Sequence, residues 1–279
     1  MVVGIDFGST VTDVVAVVGG ATVEHAALER PGPASAEVID LALDSLGARR
    51  SAVTTLAVSG GQSRLLPDVH AGIPLVKVDE PTATAVGGLA LAGIGSALVV
   101  SCGTGTAMIS ADSGAGRYAH VTGTPVGGGT LEGLGQLLFG LADGAAIATL
   151  AASGSATSVD TTLADVLGGA LGALPPSATA VSFGRVRSLP ARPSEADTAA
   201  GLCVMVSQTI ALIAVNAARA VGVERVVFVG RVARFPVVSR MLGAVFAVYA
   251  FPTEPLIPEH GERATALGAA LHAGVSLPA

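Results

Sequence analysis

The chain has 279 residues and a formal net charge of −6; half of its residues are apolar, yet only 3% are aromatic. That length allows two modest lobes with cores of Ala, Val and Leu, and with Lys77 as the single lysine and no basic stretch interleaved with aromatics, nucleic acid is not an expected partner. Cys102 and Cys203 stand far apart in apolar runs, as buried thiols of a reducing compartment do, and no cationic leader precedes the first strand, so a cytoplasmic protein is expected.

Met1 to Ile5 is a short apolar run ended by Asp6; Phe7-Gly8-Ser9-Thr10 is a tight turn, and Val11 to Val18 is a second apolar run. Gly8 lets the backbone approach an anion, Ser9, Thr10 and the turn amides supply donors, and Asp6 at the strand end is placed to hold a hydrated Mg²⁺. This reads as a phosphate-binding hairpin, distinct from the Walker loop, whose G-x-x-x-x-G-K-[ST] pattern does not occur. An ordinary glycine hairpin is the alternative for the segment in isolation. Ala21 to Glu29 reads as a third strand, Ser35 to Gly47 as a serine-capped helix ended by glycine, and Thr54 to Val58 as a strand running into Ser59-Gly60-Gly61. Ile73 to Val78 is another strand, and it delivers Asp79 and Glu80 ahead of Pro81 and a helix from Thr82 to Ala92. Two readings stand for the acid pair: a helix N-cap, or a general base at a cleft whose burial raises a carboxylate pKa towards neutrality. For the second reading Glu80 is preferred to Asp79.

Ala97 to Val100, Ser101-Cys102-Gly103-Thr104-Gly105-Thr106 and Ala107 to Ala111 repeat the opening design. Two such hairpins predict an internally duplicated fold in which each lobe lends one loop to a shared cleft, a geometry that grips both ends of a triphosphate. After a polar turn, Asp112 to Arg117, the glycines Gly127, Gly128 and Gly129 precede Thr130 and a helix from about Leu131 to Ala152. Free amides at that positive dipole end make an anion or nucleoside site, with a purely structural turn as the alternative. Gly154 to Pro193 is irregular around a short helix, Leu163 to Leu171, and a tight turn, Ser182-Phe183-Gly184. Ser194 to Val221 reads as a long helix that is apolar most of the way round, which a dimer interface would explain. Within it and just beyond, the longest apolar stretch, Leu202 to Val223, is interrupted by Ser207, Gln208, Asn216 and Arg219, which argues against a membrane span. Glu224 to Val229 is a strand ending at Gly230, suited to an adenine ring lying against backbone. A helix containing Val237 to Ala247, a strand from Val245 to Phe251 and a last helix from Arg263 to Ala273 complete the chain. The five histidines show no ligand spacing, and no covalent nucleophile arrangement is present.

In this order, GIDFGST, KVDEPTATAVGG, VVSCGTGTAMI, HVTGTPVGGGTLEGLGQLLFG, VSFG, ERVVFVGR and EHGERATALGAAL resemble the eukaryotic-type (type II) pantothenate kinases over nearly the whole chain, with TGTPVGGGTLEGLGQLL the most specific part. The resemblance implies the α/β fold of the actin, sugar-kinase and Hsp70 superfamily. That fold is a duplicated actin-like, ribonuclease H-like ATPase, with one lobe over 1–95, a second over 96–263 and a terminal helix, 264–279, returning to the first. It implies that Glu80 takes the proton from the primary hydroxyl of pantothenate as that oxygen attacks the γ-phosphorus of ATP, forming 4′-phosphopantothenate for coenzyme A biosynthesis. Gly8, Ser9 and Thr10 on one side and Gly103, Thr104 and Gly105 on the other would hold the phosphates, with Mg²⁺ near Asp6. Gly127, Gly128, Gly129, Thr130, Gly230 and Arg231 would complete the nucleotide contacts.

On the acceptor side the resemblance points to Arg117, His120, Thr122 and Gly123, and it further implies a homodimer and acyl-CoA feedback ligands. Four positions depart from the family pattern: His120 stands for an arginine that binds the substrate carboxylate, Asp13 for a lysine, Ala107 for a serine, and Arg231 for an asparagine, where it would serve as a replacement cation. The rival readings are a sister kinase for another hydroxylated molecule and a silent nucleotide- or coenzyme A-binding protein. A third, an activator of a radical dehydratase, needs paired cysteines for a shared cluster, which Cys102 and Cys203 do not resemble.

Overall fold

A meander opens the chain: β1 (Val2–Phe7), β2 (Val11–Val18) and β3 (Ala21–Glu29) pair antiparallel in turn. The computed structural model describes residues 1–29 and 31–276; the last residues of the expected 264–279 helix lie outside that range. Helix α1 (Ala36–Asp44), capped by the Ser35 hydroxyl, leads to β4 (Thr55–Ser59), which joins β1 in parallel. A short β5 (Val69–His70) and β6 (Ile73–Lys77) finish a six-stranded sheet of order β3-β2-β1-β4-β6-β5. Strand alternation divides its faces: Val3, Ile5, Phe7, Val14 and Ala16 pack on α1, while Val15 and Val17 face the opposite side.

Helix α2 (Glu80–Ala92) then leads to a second meander, β7 (Ser96–Cys102), β8 (Thr106–Asp112) and β9 (Arg117–Thr124). Next come α3 (Gly128–Phe139), α4 (Gly144–Ala151), the small β10 (Thr161–Thr162) and β11 (Thr179–Val181) pair flanking α5 (Leu163–Leu167), and the 27-residue α6 (Glu195–Val221). Strand β12 (Val226–Val229) joins β7 in parallel, giving the order β12-β7-β8-β9. Beyond it the sheet ends in a single parallel bridge, Val227 to Leu256. Helices α7 (Pro236–Val248) and α8 (Ala264–Ser276) close the fold. The two sheets are wound alike, a three-stranded meander with a fourth strand added in parallel to the first, as the duplicated fold requires.

The helices at the junction are exchanged between lobes. Helix α2 follows the first sheet yet packs Ala85 and Leu89 on Val99, Ile109 and Val227 of the second. Helix α8 follows the second sheet and packs Ala266, Leu267 and Ala270 on Val15 and Val17 of the first. By packing, therefore, α2 lies mainly on the second sheet and α8 on the first. The two helices touch backbone to backbone: a Cβ at Gly87 would lie 1.8 Å from the Ala264 carbonyl oxygen, and one at Gly268 would lie 1.8 Å from that of Ala83. A buried Thr84–Thr265 hydrogen bond of 2.9 Å joins them as well.

Several local expectations change. The helix expected over 131–152 begins at Gly128 and breaks at Gly140, whose φ of 73° ends α3; α4 restarts at 69° behind the Asp143 cap. The strand expected over Val245 to Phe251 is largely the end of α7, and the edge strand β9 (Arg117–Thr124) starts at the last residue of the expected polar turn and runs where no element was expected. Helix α6 is long and apolar enough to cross a membrane, but it is the centre of the second lobe's core. Its Leu202, Val206, Ile210 and Ala214 are buried with residues of α4, α7 and the sheet. Burial within one chain thus accounts for its apolar surround, and a dimer partner is not needed to explain it.

Candidate active site in the cleft between the lobes

The first hairpin turn and the second face each other across a cleft of about 1280 Å³. Their tips touch, with Ser9 Oγ 3.0 Å from Thr104 Oγ1. The Gly8 amide donates to the Asp6 carbonyl and that of Gly103 to Gly105, closing both turns. Gly8 is required where it stands, because a Cβ would come 2.4 Å from the Val11 carbonyl oxygen. Along with both turns, the lining includes Asp6, Asp13, Glu80, Gly128, Gly129, Gly230 and Arg231.

Asp6 stands at the end of β1 and Gly60 lies beside it. A Cβ at Gly60 would come 2.4 Å from Asp6 Oδ1, and its φ of 75° already favours glycine. Burial, reinforced by the neighbouring Glu80 and Asp13 carboxylates, pushes the Asp6 carboxyl up to about 7, against the opposing pull of Arg231 and the Thr265 hydroxyl. Of the acid pair before α2, Asp79 is the N-cap, accepting from the Thr82 amide at 3.0 Å, which leaves Glu80 to line the cleft. Glu80 is exposed, so the burial expected of it is absent.

The triple glycine does something other than expected. Gly128 N–H donates to the Gly103 carbonyl at 2.8 Å, Gly129 N–H to that of Thr104 at 2.9 Å, and Gly127 N–H to the Thr130 hydroxyl at 3.2 Å. These amides are committed to the protein and not to an anion. The glycines let the second hairpin turn sit directly on the start of α3: a Cβ at Gly127 would come 2.7 Å from the Thr104 carbonyl oxygen, and one at Gly129 2.7 Å from Thr104 Cγ2. Gly127 and Thr130 lie behind the cleft wall, outside its lining. Gly230, with φ of 92°, presses on the Cys102 backbone, where a Cβ would come 2.4 Å from the carbonyl oxygen.

The residues expected on the acceptor side all lie on β9, and none of Arg117, His120, Thr122 and Gly123 lines the cleft. Arg117 sits at the far end of the strand, 79% exposed and 3.6 Å from Asp112. Sequence reasoning missed a pairing here: Arg231 donates through one terminal nitrogen to both carboxylate oxygens of Asp13, at 2.7 and 2.9 Å. The period-two alternation of β2 placed Asp13 on the same face as Val15 and Val17, towards the other lobe, and was the signal available.

Two lobes wound alike around a cleft that carries a glycine hairpin from each define an actin-like ATPase fold. The chain belongs to the Fumble family, a pantothenate kinase-like family, which matches residues 94–272. The first hairpin and Glu80 lie outside the matched segment. No curated protein matches the sequence. Among solved structures, the chain is similar to the activator of 2-hydroxyisocaproyl-CoA dehydratase from Clostridium difficile with bound ADPNP, at TM-score 0.69 and 19% identity over 98% of this chain and 93% of that one. It is also similar to component A of (R)-2-hydroxyglutaryl-CoA dehydratase from Acidaminococcus fermentans, at TM-score 0.66 and 19% identity over 97% and 96%. A ROK family glucokinase from Streptomyces griseus in complex with glucose and AMPPNP follows at TM-score 0.61 and 14% identity over 97% and 98%. At these identities the likeness is one of fold.

Proposed function

We propose that this protein is an ATP-dependent kinase that phosphorylates the primary hydroxyl of pantothenate. The observation that carries the reading is the contact of two glycine hairpins, one per lobe, over a cleft in which Glu80 and Asp6 stand together. The cleft suits a nucleoside triphosphate and a divalent cation. Side chains are missing where backbone must approach phosphate, at Gly8 and Gly103, and the hydroxyls of Ser9, Thr10 and Thr104 supply donors. Asp6, its carboxyl raised by burial and by the neighbouring carboxylates, is a group whose ionised form a cation would stabilise. Bound Mg²⁺ would supply charge neutralisation at the phosphates, with Asp6 holding it. Glu80 is exposed to the cleft and accepts the proton of the acceptor hydroxyl as its oxygen bonds to the γ-phosphorus and ADP leaves. Gly230 and the turn after it border the nucleoside end.

Support also comes from membership of a pantothenate kinase-like family and from fold neighbours crystallised with ATP analogues. The position of Arg117, engaged with Asp112 at the far end of β9, favours a second reading, in which the same transfer serves a hydroxylated acceptor without a carboxylate. ADP release measured with pantothenate, pantetheine and other small alcohols separates the two. Pantothenate-dependent turnover is the expected result; turnover with pantetheine alone would select the second reading, and none with any alcohol would overturn both.

A further inference from the structure

The Asp13–Arg231 ion pair spans the cleft from one lobe to the other. Asp13 lies on β2 directly across from Asp6 in the antiparallel register, and only 7% of its side chain is exposed. Arg231 leaves the end of β12 just after Gly230, whose left-handed backbone against Cys102 sets the direction of departure. One of its terminal nitrogens satisfies both Asp13 oxygens, while 42% of its side chain stays open in the cleft. A guanidinium has five N–H donors in a rigid fork, so anchoring one nitrogen fixes the plane in which the others point. Among the described lining residues the other arginine, Arg234, is held by Glu262 at 2.7 Å.

We infer that Arg231 is the phosphate-recognising cation of this cleft and that Asp13 is a positioning residue, which anchors one edge of the guanidinium so that its remaining N–H groups face the nucleotide's phosphates. The inference rests on the nucleotide reading of the cleft. A nearly buried carboxylate beside a triphosphate is repulsive unless a cation stands between them, and the pair places one there. Losing Arg231 therefore removes a contact and bares an anion. Losing Asp13 keeps the cation and loosens its aim.

Titration calorimetry with AMPPNP and with adenosine, in magnesium buffer, tests this on the wild type, Asp13→Asn, Arg231→Gln and the double variant. Arg231→Gln is expected to weaken AMPPNP about 10- to 100-fold and to leave adenosine unchanged, which also certifies a folded cleft. The double variant is expected to recover part of that loss, because the repulsion is gone while the contact remains missing. Asp13→Asn is expected to weaken AMPPNP by a few-fold, on the order of one misaligned charged hydrogen bond, and to raise the KM for ATP more than it lowers kcat. Should Arg231→Gln fail to fold, Arg231→Lys, a point charge without the fork, is expected to fall between the wild type and Asp13→Asn/Arg231→Gln in AMPPNP affinity.

Wild-type AMPPNP affinity in Arg231→Gln or Arg231→Lys, full recovery in the double variant, or an equal loss for adenosine would each overturn the inference. Failure of the wild type itself to bind AMPPNP is a separate result and removes the nucleotide reading together with it.

Discussion

Asp6 shows how the acidity of the cleft is carried by single residues. Its carboxyl is raised to about 7, first by burial and then by Glu80 and Asp13. The folded chain thus keeps a proton that the unfolded chain has released between about pH 4 and pH 7, and stability contributed at low pH is lost as pH rises through that window. Without divalent cation, the melting temperature of the wild type is expected to drop relative to Asp6→Asn from pH 4 to pH 7.5, by the equivalent of at most about 4 kcal/mol; parallel curves would show that Asp6 is already ionised. Glu80→Gln tests the chemistry. It is expected to lower turnover by about two orders of magnitude or more with nucleotide affinity unchanged, and unaltered turnover would remove Glu80 from the reaction. Glu80 was legible because an acid pair precedes a proline at a strand-to-helix junction, but its exposure was not, since that depends on what the second lobe leaves open above it. The Asp13–Arg231 pair is separated by 218 positions and joins two lobes, so the alternation of β2 could give the face on which Asp13 lies but not its partner.

Among the elements, those with their own punctuation were readable and those made by tertiary pairing were not. Serine caps, Pro81 in the first turn of α2 and left-handed glycines at helix ends mark α1, α2 and α6 in the chain itself. Strand β9, rich in polar residues and glycine, is a strand because β8 offers it an open edge. The start of α3 shows the same limit. Three glycines before a helix look like anion-binding amides, and only the fold reveals that the turn at Gly103 and Thr104 already occupies two of them and the Thr130 hydroxyl the third. Gly127→Ala would drive a methyl against the Thr104 carbonyl oxygen, 2.7 Å from the Cβ position, and the second hairpin turn must shift in response. Its expected effect is a loss of nucleotide affinity of tenfold or more, on the order of one displaced charged hydrogen bond, with a smaller change in melting temperature. Intact affinity in calorimetry would mean that the turn is not seated by these glycines.

At the scale of the whole molecule the duplication was legible from two hairpins about a hundred residues apart, and the return of the terminal helix to the first lobe was expected too, whereas the packing of α2 on the second sheet was not, because that helix reads simply as apolar. The exchange of the two helices makes the lobes interdependent. Val15 and Val17 of the first sheet are covered by Ala266, Leu267 and Ala270, which arrive only at the end of the chain. Ala57 is covered by Ala269 and Ala273 in the same way. A chain ending at residue 263 would leave that face of the first sheet in water. Several side chains of this kind, at up to about 1.5–3 kcal/mol for the larger ones, amount to most of the roughly 5–15 kcal/mol by which a domain is stable. Such a truncation is expected to lose cooperative unfolding in the first lobe while α6 and the second sheet keep their core. A milder lesion isolates the joint. Gly268→Ala places a Cβ 1.8 Å from the Ala83 carbonyl oxygen and must part α2 from α8, at about 1–3 kcal/mol or more. Because Thr265 lies one turn before Gly268 and bonds Thr84 across the same joint, parting the helices also moves the wall that holds Asp6 and Glu80. Gly268→Ala should therefore lower the melting temperature and turnover together. Equal stability to the wild type would show that the two helices can separate freely and that the cleft does not depend on their contact.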